Sequence, residues 1–586
     1  MEEGSATATS QDPLSRLSAS GPGDLDGPAT ESLRVSPLAL LIGLTGGWLA
    51  IAIGPWFFEP SWTPRTLALL VTLPFGWVSL AAAARRRHWA SILASAAVMW
   101  SLVSVLLAPG SMIGVFSTSR EMTVVVLAAS IGLWSLAARV PVADRSVCED
   151  LIVGALGLSA AIGLVQVMAQ PTSGWIATYY GRATGLTPHP VYFGALMAAG
   201  AVLVASRLVV GRWWWGALLA LFAAAISASG TRVAFGASLV GLALVVRSSP
   251  GRRLVLCGPP FAVGICIGML STRPASNSST TAVSAVGRLS DSGGALSERI
   301  DVWGFGLEAF LEKPVFGWGL GNFRSATQGH YSLEFARSVS DRSPWFDAHN
   351  LIVELLVAVG PVGLGLFAAF GVLAGYRSRG PSAIASMTIA LTWLLEPVSL
   401  STLPLALILL GLSSTPAASI SWPFVSSRLA AGALAVGSAA ALFVGARDVA
   451  FKEALRTDDA AKVESVASWF WRDPIVADAV AQSWQIDYIY APSQHAEERA
   501  ITWSQRVTDY EPLRPTWWDR LGTRLYFHGK DEAARASFEQ AVSLQPLRAS
   551  TWSYLLDIAD EEGDVNLEQR AVLTLCLLDS DRCRLP

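Results

Sequence analysis

Thirteen apolar stretches, most of them close to the length of a membrane-spanning helix, constrain the fold of this chain more than any other feature. A helix needs ~20 mostly apolar residues to cross a bilayer. Charged residues make up only 15% of the 586 residues, against ~25% in a soluble protein. The stretches are 37–58, 66–84, 89–108, 121–138, 150–169, 189–210, 213–228, 233–247, 254–271, 349–374, 382–396, 398–412 and 429–446. The sequence predicts an all-α, polytopic membrane bundle with thirteen spans. Twelve spans is the alternative, because several stretches are short, above all the pair that meets at Glu396-Pro397.

Arginines in the short connecting loops indicate which side of the membrane each loop faces, because Arg and Lys are enriched in cytoplasmic loops. With the N-terminus inside, the inner loops contain thirteen arginines: Arg85, Arg86, Arg87, Arg139, Arg145, Arg207, Arg212, Arg247, Arg252, Arg253, Arg377, Arg379 and Arg428. The outer short loops contain four: Arg65, Arg120, Arg182 and Arg232. Residues 1–35 are polar and rich in Gly, Pro, Ser and Asp, so they are predicted to form a disordered tail. The arginine distribution places this tail in the cytoplasm, and it predicts a membrane domain over 36–446 with an outer loop at 272–346 and an extracytoplasmic domain over 447–586.

A periodicity of 34 residues marks the polar, Trp-rich C-terminal region. Trp484, Trp518 and Trp552 follow one another at this interval, and Pro512 and Pro546 repeat it. The period is that of tetratricopeptide repeats, in which pairs of helices stack on one another. The sequence therefore predicts a tetratricopeptide-like domain that binds a peptide, a partner protein or its own membrane region. A generic helical hairpin is the alternative.

The five cysteines include no C-x-x-C pair and no other metal-ligand spacing, so we expect no metal site. Cys576 and Cys583 lie close together at the C-terminus. A helix that ends near Asp579 allows a disulfide between them, whereas a continuous helix holds them ~10 Å apart and forbids it.

Polar residues gather where the tenth apolar stretch begins. Asp347, His349 and Asn350 fall within four residues, and Glu354 follows them. In a helix that begins here, Asp347 is the predicted N-cap, His349 lies in the first turn and Asn350 sits over Glu354. Two interpretations remain open. The residues form a capping cluster with a passive histidine, or a neutral imidazole acts as a general base at the outer membrane surface.

Three arginines are expected on the same side of the membrane as His349. Arg182 and Arg232 stand directly before apolar stretches, where an arginine often reaches lipid headgroups. In 298–312 the acidic residues occupy one face of an amphipathic helix, and Arg299 lies on the opposite, apolar face. A charge there needs a partner, either an anionic ligand or a structural carboxylate. The glycine-rich run that follows, 314–323, predicts a tight turn back to the bundle.

One class of ligand combines an anionic head group, a position at the outer leaflet and a reaction that needs a base. This is a polyprenyl-diphosphate-linked glycan. Arginine forks suit a diphosphate, and a diphosphate leaves without protonation. A base acting on the acceptor hydroxyl is then sufficient.

Four motifs occur in order: G-R-A-T-G-L…H-P, S-G-T-R-V-A, E-R-I-D-V-W…E-K-P-V-F-G-W-G-L-G-N-F and D-A-H-N-L-I-V-E-L-L-V-A-V-G-P-V-G. Together they resemble the O-antigen ligase/polymerase superfamily over roughly 37–446, most specifically over 298–363. The resemblance implies a GT-C-like glycosyltransferase of the cytoplasmic (inner) membrane that works without metal or cofactor. It also implies that His349 is the base, that Arg182, Arg232 and Arg299 clamp the diphosphate, and that the acceptor is a glycan, lipid or protein.

Other functions stay open at this point. Within the superfamily, the chain is a ligase, a polymerase or a protein O-oligosaccharyltransferase, the last suggested by the repeat tail. A transporter or flippase would place ionisable groups near the membrane midplane, for which Asp150 and Glu396 are candidates. A non-catalytic scaffold would act through its repeats. A net charge of −3 without a long basic run gives no support for nucleic-acid binding, and no nucleic-acid partner is expected.

Overall fold

The structure is a computed structural model that describes residues 35–108, 114–117, 122–170, 177–208, 213–247, 250–272, 284–286, 293–339, 345–376, 378–414 and 428–579. Apart from Val35, the tail predicted over 1–35 lies outside these residues, as does Cys583. Within the described ranges the chain forms helices, and its only β pairings are two isolated bridges. The all-α prediction is confirmed.

Each of the thirteen apolar stretches forms a helix. The first nine helices are α1 (Pro37–Ile51), α2 (Thr63–Arg85), α3 (Trp89–Leu107), α4 (Val124–Ala137), α5 (Arg145–Ala169), α6 (Pro190–Leu208), α7 (Trp214–Ala228), α8 (Arg232–Arg247) and α9 (Pro250–Ser271). The segment predicted to be the outer loop, called the outer segment below, forms α10 (Gly293–Glu312), α11 (Phe323–Thr327) and α12 (Leu333–Val339). The bundle then continues with α13 (Leu351–Tyr376), α14 (Pro381–Thr392), α15 (Leu403–Ser413) and α16 (Arg428–Leu455).

Six helices in the described part of the chain are long and apolar enough to cross a membrane. They are α2, α3, α6, α13, α16 and α5 together with the turn before it. The remaining apolar helices are shorter. A multi-pass helical membrane protein is therefore confirmed, whereas the number of crossings stays a prediction.

Hydrogen bonds between helix ends show which loops share one end of the bundle. Arg65, at the start of α2, donates to the carbonyl oxygen of Leu49 at 2.8 Å and to that of Leu186 at 2.7 Å. The Ala183 N–H donates to the Ala228 carbonyl at the end of α7, at 3.0 Å. The start of α2, the loop before α6 and the end of α7 therefore lie together.

The opposite end of the bundle is held by a second set of contacts. The Ser36 N–H donates to Asp144 Oδ2 at 3.1 Å, just before α1 and α5. Arg145 Nη1 donates to the Ser414 carbonyl, after the end of α15, at 2.8 Å. The two sets of contacts match helices that alternate in direction, as the loop arginines predicted; which end faces outward stays a prediction.

Helices α14 and α15 form a short antiparallel hairpin. Ser378 and Ser414 pair through their backbones at its base. At its tip, Trp393 Nε1 donates to Thr402 Oγ1 at 3.2 Å. Glu396 lies in this non-helical tip and is buried. The two stretches that meet at Glu396-Pro397 are therefore two separate helices.

The glycine-rich turn at 314–323 fits into a kink of α13. Pro361 has no N–H, so the Val357 carbonyl loses its usual helical partner. The Trp318 N–H donates to that carbonyl at 2.8 Å. Gly360, with φ of +66°, supplies the left-handed backbone that the kink needs. The predicted tight turn back to the bundle is confirmed.

The C-terminal region is a row of helices: α17 (Ala460–Ala467), α18 (Pro474–Tyr490), α19 (Gln494–Tyr510), α20 (Pro515–Phe527), α21 (Asp531–Leu544), α22 (Ala549–Glu562) and α23 (Val565–Leu578). Trp518 Nε1 donates to the Pro512 carbonyl, and Trp552 Nε1 donates to the Pro546 carbonyl, both at 2.7 Å. The 34-residue repeat of the sequence is thus accompanied by the same tryptophan-to-proline hydrogen bond in two successive units. The tetratricopeptide assignment stays a prediction. Because α23 ends at Leu578, its geometry leaves the predicted disulfide open.

This repeat region packs on the outer segment of its own chain. Arg324 Nη2 lies 3.3 Å from Thr516 Oγ1, and Arg337 Nε donates to the Leu577 carbonyl at 2.7 Å. The chain's own membrane region is one of the three binding targets that the sequence predicted for the repeats.

Candidate active site

His349 lies in a turn directly before α13. Asn350 is the N-cap of that helix, because its Oδ1 accepts the N–H groups of Ile352 at 2.9 Å and Val353 at 3.2 Å. The prediction that Asp347 is the N-cap, with His349 in the first helical turn, is therefore wrong. Asp347 comes three residues too early for its carboxylate to reach the free N–H groups of the first turn.

Asp347 contacts His349 in two ways. Its Oδ1 lies 2.7 Å from His349 Nδ1 and accepts the His349 backbone N–H at 2.8 Å. His349 has a φ of +49°, a left-handed conformation that is uncommon outside glycine. The two side chains keep 26% and 28% of their surface exposed. The Asp347 carboxylate thus lies at ion-pair distance from Nδ1, which leaves Nε2 as the ring nitrogen for an external proton.

The surrounding charges favour the imidazolium form of His349. Burial alone lowers the pKa of His349, but the carboxylates of Asp347 and Glu396 outweigh it and hold the pKa above its usual 6.5. Burial likewise acts to raise the pKa of Asp347, and His349 reverses this effect through its charge and hydrogen bonds. The neutral form of such a histidine is a stronger base than an isolated imidazole.

Both backbone groups of Ala348 are hydrogen bonded, which fixes the turn. Glu354 Oε2 accepts the Ala348 N–H at 2.9 Å, and Trp303 Nε1, from α10, donates to the Ala348 carbonyl at 2.8 Å. The Trp345 ring packs edge-on against His349, with 4.6 Å between centroids. Glu354 therefore supports the position of His349 through the backbone.

Arg299 is paired with a carboxylate from a distant part of the chain. Its Nη2 lies 3.2 Å from Glu396 Oε1 at the tip of the α14–α15 hairpin. Of the two partners that the sequence allowed, the structure shows the structural carboxylate. The ion pair joins α10 to the hairpin beside the His349 turn, since Glu396 acts electrostatically on His349.

A tight hairpin turn positions Arg182. Tyr179 and Arg182 exchange two backbone hydrogen bonds, of 3.0 and 3.1 Å. Tyr180 and Gly181 between them have φ values of +51° and +77°, as a type I′ turn requires. The Arg182 guanidinium then reaches the end of α7, where its Nε donates to the Ser229 carbonyl at 2.8 Å.

Arg182 and Arg232 meet the same short loop. Arg182 Nη2 lies 3.2 Å from Thr231 Oγ1, and Arg232 is the next residue, the first of α8. Both arginine side chains are partly buried. The structure thus brings two of the three predicted clamp arginines to one loop and gives the third a carboxylate partner.

His189 was not among the predicted site residues, yet it interacts electrostatically both with Arg182 and with the Asp347–His349 pair. Its Nδ1 accepts the Val191 N–H at 3.3 Å, which assigns the ring proton to Nε2. Burial, followed by the charges of Arg182 and His349, lowers the pKa of His189 to about 4. It is therefore neutral at physiological pH. A sequence signal existed, because T-P-H-P stands directly before a span, as D-A-H-N does.

These residues supply two chemical capabilities at one end of the bundle. Arg182 and Arg232 provide positive charge for an anion, and the Asp347–His349 pair provides a base for a hydroxyl. In the part of the chain that the structure describes, no three His, Cys, Asp or Glu side chains lie together as metal ligands would.

Comparison with known proteins finds one family domain in this chain. The family model described as O-antigen ligase matches residues 216–368, a range that contains Arg232, Arg299 and the His349 turn but not Arg182 or His189. Comparison with curated proteins gives no significant match. The motifs of the sequence, the apolar helices and this match lead to one assignment: the chain is a multi-pass membrane protein that contains an O-antigen ligase family domain over residues 216–368, and this domain supports a place in the O-antigen ligase superfamily.

Proposed function

We propose that the protein is a glycosyltransferase that moves a polyprenyl-diphosphate-linked glycan to an acceptor hydroxyl at the outer face of the cytoplasmic membrane. The observation that carries this proposal is the Asp347–His349 pair, in which His349 Nδ1 lies 2.7 Å from the carboxylate. Electrostatic contact through His189 links this pair to Arg182. The family match supports a ligase- or polymerase-type, glycan-processing function.

In the proposed reaction, His349 Nε2 removes the proton of the acceptor hydroxyl as the oxygen attacks the anomeric carbon of the donor. The bond from that carbon to the diphosphate oxygen breaks, and the diphosphate leaves with the electron pair. Asp347 stabilises the imidazolium that forms, as a carboxylate does beside a catalytic histidine. The proton then passes from His349 to water, and the polyprenyl diphosphate is the second product.

Arg182 and Arg232 form the proposed diphosphate clamp, because a guanidinium fork matches phosphate oxygens in geometry and charge. His189, neutral and with its proton on Nε2, is a proposed hydrogen-bond donor to the same group. Arg299 joins the proposed clamp only when the ligand displaces Glu396. Otherwise it positions the hairpin tip beside His349.

The ionisable residues that are candidates for a transport path form ion pairs at the ends of the bundle. Asp150 and Glu149 pair with Arg207 at the end of the bundle opposite His349. Glu396 pairs with Arg299 at the end that carries His349. These pairs hold helix ends together, and this favours the enzyme over a transporter or flippase. A scaffold that acts only through its repeats does not explain the Asp347–His349 pair.

A gene deletion, examined by gel electrophoresis of the envelope glycans, tests the proposal and separates its variants. Unattached glycan with intact lipid-linked chains identifies a ligase, and chains of a single repeat unit identify a polymerase. Loss of glycan from proteins identifies a protein O-oligosaccharyltransferase. Complementation with His349→Ala must fail. If it restores the wild-type glycans, His349 is not the base; if the deletion itself leaves the envelope glycans unchanged, the protein does not act as this enzyme.

A further inference from the structure

A cavity of about 540 Å³ lies at the same end of the bundle as Arg182. Its walls come from the loop between α1 and α2, the loop before α6 and the last turns of α16. The side chains that matter for its chemistry are Glu59, Trp62, Thr178, Tyr179, Thr187 and Lys452. The volume falls within the ~300–1,000 Å³ typical of small-molecule sites.

Helix α16 holds the first wall in place. Lys452 Nζ donates to the carbonyl oxygens of Pro55 at 2.6 Å and Phe57 at 2.8 Å. Asp448 Oδ2 accepts the N–H of Glu59 at 3.4 Å. Because several hydrogen bonds fix the loop backbone, the cavity is a shaped part of the fold.

The second wall is shared with the proposed active site. The Tyr179 ring lies edge-on to His189, with 4.7 Å between centroids, and Tyr179 pairs with Arg182 through its backbone. Thr187 Oγ1 donates to the His189 carbonyl at 3.0 Å. A molecule that contacts Tyr179 in the cavity is therefore separated from His189 by the Tyr179 ring. His189 in turn interacts electrostatically with His349.

The lining suits a neutral, polyhydroxylated ring. Trp62 and Tyr179 offer aromatic surface to an apolar ring face, and the hydroxyl, carboxyl and ammonium groups offer donors and acceptors to hydroxyls. Burial, then the charges of Asp448 and Asp473, raise the pKa of Glu59 to about 7, against the opposing charge of Lys452. Near neutral pH, Glu59 therefore exists in both a donating and an accepting form.

We propose that this cavity is a carbohydrate subsite that holds one sugar unit of a glycan substrate next to the reacting groups. This inference rests on the proposed function, because it takes a glycan as the substrate. The sugar belongs either to the acceptor or to the donor glycan. Both are carbohydrates, so the same hydroxyl groups and ring faces would meet the cavity walls in either case.

Saturation-transfer NMR on the purified full-length protein in detergent tests the subsite without any transfer reaction. Two probes are titrated: the glycan released by mild acid from the lipid-linked pool, and the unmodified acceptor glycan from cells that lack the gene. We expect one of them to bind saturably. Glu59→Gln and Thr178→Val should each weaken that binding by about fivefold, since each removes a hydrogen-bonding group. Tyr179→Ala should weaken it at least as much.

Tyr490→Ala is the matched control, because Tyr490, at the end of α18, is 86% exposed and does not line the cavity. It should change the binding less than about twofold. Binding of the acceptor probe, lost in the cavity variants, assigns the sugar to the acceptor, and the same result with the donor probe assigns it to the donor. No saturable binding of either probe overturns the proposal, as does binding that all three cavity variants leave unchanged.

His349→Ala separates this inference from the proposed function. The variant should bind the sugar like the wild type while it loses transfer. If it retains transfer, His349 is not the base but the subsite stands. If deletion of the gene leaves the envelope glycans unchanged while a probe still binds in the cavity, the proposed function fails alone. If transfer depends on His349 and neither probe binds, the subsite fails alone.

Discussion

Arg299 Nη2 lies 3.2 Å from Glu396 Oε1, and the two side chains expose only 15% and 8% of their surface. This ion pair joins the outer segment to the tip of the α14–α15 hairpin. Removing one member of a buried pair leaves an uncompensated charge, whereas removing both is often tolerated. The pair therefore allows the two roles of Arg299, structural and ligand-binding, to be separated.

Glu396→Gln should reduce the free energy of unfolding by about 3 kcal/mol, measured by thermal unfolding in detergent. The double variant with Arg299→Gln should recover most of this loss, because no charge is left unpaired. Since Arg299 is also a proposed clamp residue, the double variant should fold yet transfer glycan slowly. A double variant with wild-type transfer would show that Arg299 is structural only.

His349→Ala should reduce glycan transfer by ~10²- to 10⁴-fold, the usual contribution of a general base. Binding of the lipid-linked donor should persist, because the proposed clamp is intact. The measurement is transfer and donor binding in proteoliposomes. His330→Ala is the matched control, since His330 lies in the outer segment and contacts Glu308 and Glu312. If His349→Ala keeps more than about half of the rate, His349 is not the base.

Arg182→Lys and Arg232→Lys should each weaken donor binding, because an ammonium group does not reproduce a bidentate guanidinium fork. The expected loss is about tenfold, or ~1.4 kcal/mol. Arg337→Lys serves as the control, because Arg337 is an exposed arginine of the outer segment. Normal donor affinity in both clamp variants would mean that these arginines meet lipid headgroups or only the protein.

The acid limb of the pH–rate profile should lie above pH 6.5, since a base acts in its neutral form and the pKa of His349 is raised. Asp347→Asn removes the carboxylate that stabilises the imidazolium, so the pKa of His349 falls and the limb moves to lower pH. The plateau rate should also fall, because Nδ1 loses its partner. Asp301→Asn, on the exposed face of α10, should leave the profile in place. A limb that does not move in Asp347→Asn would contradict the assignment.

The repeat region should be accessible from outside the cytoplasmic membrane. Gln540→Cys places a thiol at an exposed position of α21, and Arg86→Cys places one after α2, at an arginine-rich loop. A membrane-impermeant maleimide applied to intact spheroplasts should label only the first, in a background in which the five native cysteines are replaced by alanine. The reverse pattern would invert the predicted orientation.

Local sequence patterns were sufficient to predict the helices and to select candidate site residues. Apolar stretches marked the helices because a bilayer requires long apolar segments with internal hydrogen bonds. The 34-residue spacing anticipated matching contacts at Trp518 and Trp552. Histidine and arginine residues at the ends of apolar helices led to the prediction of His349, Arg182 and Arg232 as site residues, because ionisable groups at a membrane are costly without a role.

The partners of those residues were decided only by the tertiary structure. Asn350 rather than Asp347 caps α13, since the cap depends on where the helical backbone begins. Glu396 meets Arg299, and His189 comes into electrostatic range of His349, only after distant helices have packed. A sequence shows which charges need a partner because burial follows from composition and periodicity. Which group meets each charge depends on how the helices pack, and that is a property of the whole fold.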